Sequence, residues 1–197
     1  MGGLIASLYT SAHPERVTKL ILLAPAVVPV QIPFIAKLMI TPVIGYSLFS
    51  MFGKGAMLKR MENERFSQGK TSVVFLSLKN NSDFAYPDKH AEVIDDLILR
   101  CSHMISKKPG FMPMFHSTLQ HFPNEGCLDA VETIAKADIP IYVLWGELDK
   151  TVPYAHHTMV LEKAPNAKVV KIEDVGHAVL FEASNDICKY VLEFVQE

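Results

Sequence analysis

Two side chains in the sequence have the type and the position for proton-transfer chemistry. Asp149 stands in Gly146-Glu147-Leu148-Asp149, directly after an apolar run, and His177 stands in Asp174-Val175-Gly176-His177, just beyond a second one. A carboxylate that accepts the N–H of an imidazole fixes its tautomer and stabilises the imidazolium formed when the ring acts as a general base. Gly146 is expected to permit the turn that holds Asp149, and Gly176 the sharp backbone path that aims the imidazole. The two residues form a unit only if their loops are neighbours, as they become at the carboxyl ends of adjacent parallel strands.

The other reactive residues form weaker patterns. His116 and His121 are five residues apart, which does not set both on one helical face for a metal, and His156-His157 follows the Asp149 loop. All four are read as surface or cap residues, and neither a metal site nor another cofactor is argued. Gly2-Gly3 has no accompanying Lys-Ser/Thr of a phosphate loop. Ser7, Ser11, Cys101, Cys127 and Cys188 are possible nucleophiles by type, but none follows a strand in a sharp turn, and Cys188 reads as a small buried hydrophobe in the closing helix.

The elements that must position Asp149 and His177 are legible from hydrophobic periodicity. Lys19-Leu20-Ile21-Leu22-Leu23 is a short apolar run ended by Ala24-Pro25, the pattern of a strand buried on both faces of a parallel sheet, and a helix over 4–12 precedes it. Strands are expected over 139–145 and 167–172, with helices over 154–163 and 185–195. Between residues 27 and 137 the pattern is helical instead. Helices are expected at 55–66, 88–107, 110–122 and 128–137, the second carrying Val93, Ile94, Leu97, Ile98, Cys101 and Ile105 at helical spacing. Polar turns fall at 68–70 and 80–83. The ends are therefore α/β and the middle is an all-helical insertion.

These segments resemble the α/β-hydrolase family. Trp145-Gly146-Glu147-Leu148-Asp149-Lys150-Thr151-Val152-Pro153 is similar to the family's acid loop, G-x-x-D-x-x-V-P, and Val175-Gly176-His177 with Phe181-Glu182 is similar to its histidine loop and the helix after it. Pro14-Glu15-Arg16-Val17, leading into Leu20–Pro25, resembles the link from the nucleophile helix to the sixth strand, and Met1-Gly2-Gly3 resembles the residues after the nucleophile in G-x-S-M-G-G. The resemblance implies an α/β-hydrolase fold represented by its C-terminal half: three parallel strands with flanking helices plus an inserted helical cap, without the N-terminal strands. The implied divisions are 1–26 for the nucleophile helix and sixth strand, 27–135 for the cap and 136–197 for the C-terminal core.

The resemblance also assigns roles. Asp149 is the implied acid and His177 the implied base, with the nucleophile expected immediately before Met1 and the Met1 backbone N–H as an oxyanion donor. Met-Gly-Gly is typical of serine members, which include lipases, esterases and carbon–carbon bond hydrolases, and so favours serine over aspartate as the expected nucleophile; a lipase- or esterase-like ester hydrolase is the expected function, with a carbon–carbon bond or epoxide hydrolase as the alternative. A truncated, non-catalytic binding protein is the third reading. Phe111, Phe115, Val152 and Leu180 are the expected substrate contacts, for a small apolar ester.

Composition restricts the partners. The 197 residues are 49% hydrophobic and 20% charged, with 19 basic and 21 acidic residues, which excludes disorder and leaves no basic block for nucleic acid. The apolar stretch 20–52 has Lys37 as its one charge but is interrupted by Pro25, Pro29, Pro33 and Pro42, so it is expected to line a pocket or touch a membrane rather than span one. Three widely spaced cysteines suggest no disulfide framework. The default compartment is therefore the reducing cytoplasm, with any targeting segment expected ahead of Met1.

Overall fold

The computed structural model describes residues 1–30, 32–41, 44–64 and 89–197. The expected polar turns at 68–70 and 80–83, and the side chains of Val93 and Ile94, lie outside the described residues. The chain divides into two compact units, one built chiefly from Met1–Val30 and Glu125–Glu197 and the other from the helices between them.

The first unit is a three-stranded parallel sheet with helices. Helix α1 (Gly2–Ala12) turns through a short 3-10 segment into strand β1 (Leu20–Leu23). After the insertion come α7 (Leu128–Lys136), β2 (Ile141–Gly146), α8 (His157–Lys163), β3 (Lys168–Ile172), the single turn α9 (Val179–Glu182) and α10 (Ser184–Gln196). The strand order is β1-β2-β3, with Leu20 opposite Ile141 and Leu23 opposite Leu144, then Tyr142 opposite Lys168 and Gly146 opposite Ile172.

Position in the sheet decides how each apolar run is used. Central β2 is buried along its whole length, and its Val143, Leu144 and Trp145 are inaccessible to solvent. On β1 burial instead alternates: Leu20 and Leu22 are buried, whereas Ile21 and Leu23 are only partly so. The expectation of a strand covered on both faces, made for residues 19–23, thus fails on one face of β1, while β2 is the strand buried throughout. β1 has β2 on one side and no strand on the other among the described residues, so its second face is incompletely covered.

Close backbone contacts tie the unit together. A Cβ on Gly3 would come within 2.9 Å of Pro25 Cβ, so the start of α1 lies against the chain just beyond the carboxyl end of β1. Gly126, at φ 72, has the Val27 carbonyl 2.4 Å from where a Cβ would stand, and the Cys127 N–H donates to that carbonyl at 2.8 Å. The points where the chain leaves and re-enters this unit are thereby joined. α7 then packs on α1 and α8, burying Val131 and Ile134 completely.

The second unit consists of helices. α2 (Phe34–Met39), α3 (Gly45–Leu48), a π-helical turn (Phe49–Gly53) and α4 (Lys54–Glu64) precede α5 (Lys89–Lys107) and α6 (Phe111–Gln120). Along α5, Ile98 and Ile105 are buried, as the periodicity requires. His116, read as a surface or cap residue, is buried in this unit. Its Nε2 donates to the Met39 carbonyl at 2.8 Å, and Gln120 Nε2 donates to the Ile40 carbonyl at 3.0 Å, so two side chains of α6 satisfy carbonyls at the end of α2.

Candidate active site

β2 and β3 are parallel and adjacent, so the loops after them emerge at the same edge of the sheet. Their backbones are joined directly: the Glu147 N–H donates to the Ile172 carbonyl and the Leu148 N–H to the Val175 carbonyl, both at 2.9 Å. Gly146 sits in the seam. A Cβ there would lie 2.2 Å from the Gly176 carbonyl oxygen and 2.4 Å from that of Val175, so only glycine allows this approach. This differs from the turn-making role expected of Gly146. The left-handed residue of the histidine loop is likewise Asp174, at φ 57, and not Gly176.

Within this frame His177 Nδ1 lies 2.8 Å from Asp149 Oδ2. The Asp149 side chain is wholly buried, while 22% of the His177 side chain remains accessible. Asp149 Oδ1 accepts the backbone N–H groups of Thr151 and Val152, each at 2.8 Å. Three donors thus satisfy the oxygens of this buried side chain. Because a carboxylate cannot donate, the proton of the shared hydrogen bond sits on Nδ1, leaving the Nε2 lone pair as the basic site.

The loops are fixed from behind. Trp145 Nε1 donates to the Val152 carbonyl at 2.7 Å, so Val152 is held through both its N–H and its carbonyl. Glu182, buried at the end of α9, accepts the Gly176 N–H on both carboxylate oxygens at 3.2 and 3.3 Å. Glu147 bridges to Lys171 at 2.6 Å on β3, and that hydrogen bond holds its carboxyl below the usual range. The sequence offered Glu182 as part of a motif but no reason for it. Its partner, the backbone six residues earlier, is invisible to periodicity.

The other residues of the reading fall as follows. Met1 precedes α1, is half exposed, and its carbonyl accepts the Ile5 N–H at 3.1 Å. Val152 is buried beside Asp149 and Leu180 is 48% exposed on α9, three residues beyond His177. Phe111 and Phe115 belong to the helical unit, where their rings stack with centroids 6.0 Å apart. Ser7 and Ser11 lie on α1 and return their hydroxyls to the carbonyls of Gly3 and Leu8. Burial pushes the Cys127 thiol up, away from the thiolate that a nucleophile needs. Cys188, expected as a buried hydrophobe, is exposed instead, because α10 turns Ile187 and Phe194 inward and carries its neighbour round to the outer side.

Comparison with known proteins identifies the family. A sequence model of the alpha/beta hydrolase fold matches residues 1–184, and the chain belongs to that family. Lipase 3 of Moraxella sp. is 31% identical over 68 residues, which are 34% of this chain and 22% of that protein. A serine hydrolase of the hydrocarbon-degrading bacterium Cycloclasticus zankles superposes with a TM-score of 0.65 at 16% identity, over 100% of this chain and 61% of its own. A thermophilic esterase of Thermogutta terrifontis gives 0.64 at 18% identity, over 100% of this chain and 62% of that one. The chain thus spans about three fifths of the length of these structures and about a fifth of the lipase.

Proposed function

We infer that this chain contributes the acid and the base of an enzyme that hydrolyses carboxylic esters, with Asp149 and His177 completing a triad whose serine stands immediately before Met1. The observation that carries the reading is the 2.8 Å contact of His177 Nδ1 with a fully buried Asp149 whose other oxygen is held by two backbone N–H groups. In the proposed reaction His177 Nε2 takes the proton of the serine hydroxyl as it attacks the ester carbonyl, and then returns it to the departing alcohol. Asp149 stabilises the imidazolium between the two steps. Water repeats the sequence to release the acid.

The start of α1 supports the remaining part of this reading. It lies at the carboxyl edge of the sheet, against Pro25, where a backbone N–H at Met1 and the positive end of an eleven-residue helix favour an oxyanion. Leu180, exposed on α9 three residues beyond His177, is proposed as an apolar contact for the substrate, while Val152 acts through its backbone. Phe111 and Phe115 are proposed as acyl contacts, and an apolar ester such as an acylglycerol is the proposed substrate class. The test is the protein carrying the preceding segment, assayed on p-nitrophenyl esters. His177→Ala is expected to lower kcat by roughly 10⁶, the size of the loss on removing a triad histidine in subtilisin. Retention of most of the rate would refute the assignment.

A further inference from the structure

The helical unit leaves an apolar surface uncovered. Along α3 and the π turn, Gly45, Phe49 and Gly53 repeat every fourth residue and are buried. A Cβ on Gly45 would stand 2.7 Å from the Met39 carbonyl, and Phe49 packs on Phe115 and His116 with centroids 6.4 and 5.2 Å away. With that face committed inward, Met51 and Phe52 are left 71% and 55% exposed. On α2, Phe34 and Ile35 are 80% and 68% exposed, with Leu38 one turn further on. Large apolar side chains concentrated in this way on one short segment mark a surface that meets something apolar.

The charge of the segment identifies the partner. Between Val27 and Arg60 the sequence has Lys37, Lys54, Lys59 and Arg60 and not one Asp or Glu. Lys37 lies between Ile35 and Leu38 on α2, and Lys54, which follows Phe52 and Gly53, is exposed and donates from Nζ to the Ser106 carbonyl at 3.1 Å. A second copy of the same surface would bring like charges together, which opposes self-association there. Aromatic and aliphatic side chains interspersed along the segment with cations suit the boundary between acyl chains and anionic headgroups. Among the described residues no helix is long and apolar enough to cross a membrane, so the contact is peripheral.

We propose that helix α2 (Phe34–Met39) and residues 51–54 dock the protein on phospholipid surfaces bearing anionic headgroups. Phe34, Ile35, Leu38, Met51 and Phe52 enter the acyl boundary, and Lys37 and Lys54 meet the phosphates. This does not rest on the triad, because binding is read without turnover. The experiment is flotation of the chain, taken as the soluble fraction left after high-speed centrifugation, through a sucrose gradient with phosphatidylcholine vesicles, with and without phosphatidylserine. Aggregates sediment in this assay and are not counted. The chain is expected to float with the phosphatidylserine vesicles. Phe34→Ser with Ile35→Ser, and separately Lys37→Glu with Lys54→Glu, should each weaken flotation by about tenfold or more.

The control is another exposed apolar face, Ile5 and Tyr9 on α1, which carries no cation. Ile5→Ser with Tyr9→Ser should float like the parent. A second readout uses the fact that the native Trp145 is buried in the other unit: a Phe34→Trp variant should be quenched by brominated lipid, and the parent should not. Absence of flotation, undiminished flotation of both test variants, or an equal loss in the α1 variant would each overturn the proposal.

Discussion

At the scale of single residues, the placement of Asp149 and His177 depends on atoms that lie behind them. Gly146 allows two loops to touch, and Glu182 holds the peptide just before His177. Gly146→Ala is expected to destabilise the protein by about 1–3 kcal/mol or more, since the clash is with carbonyl oxygens and not with a mobile side chain. Thermal melting checks this. In the complete enzyme Glu182→Ala should lower kcat by about tenfold or more with KM little changed, because the base loses its placement and not its chemistry. Glu182→Gln keeps an acceptor for the Gly176 N–H and should recover much of the rate. Asp149 and His177 were legible because each follows an apolar run at a place where a parallel sheet exposes its loops. The purpose of Gly146 was not, because a glycine needed for close approach and one needed for a turn look the same in sequence.

At the scale of elements, burial and charge make separate contributions. Ile134, fully buried on α7, should cost about 2–5 kcal/mol on truncation to alanine, measured by denaturant unfolding. Glu132 on the same helix accepts from Lys136 and from Lys163 of α8, both at 2.7 Å, and these contacts push its carboxyl down to about 2. The folded state therefore binds that proton less tightly than the unfolded chain does. The contribution is present above the ordinary carboxylate range and is lost as pH falls from there toward about 2. Glu132→Gln should flatten the acid limb of stability against pH, and added salt should shrink the difference because the group is exposed. The periods that predicted the helices and strands served well for α5, α7 and β2. They misjudged β1, whose apolar run is the same in kind but lies at the edge of the sheet. An apolar run reports composition, and burial depends on neighbours that lie far away in sequence.

At the scale of the whole molecule, the sequence passes from α/β to helical patterning near residue 27 and back near 137, while the chain divides into two compact units of which the first resumes at Glu125 and includes α7. The edge of β1 and the exposed Ile5, Leu8 and Tyr9 of α1 are an aggregation hazard. The chain expressed by itself is expected to be poorly soluble and inactive on esters; a monomer that melts cooperatively, with an esterase activity that His177→Ala abolishes, would contradict this. The central claim is that a buried carboxylate orients the base of an ester hydrolase. The direct measurement is kcat for p-nitrophenyl ester hydrolysis by the protein that includes the preceding segment, parent against Asp149→Asn. A fall of about 10⁴ with the fold intact is predicted, since the amide keeps the shape of the site but favours the wrong imidazole tautomer. An unchanged rate would remove Asp149 from the mechanism.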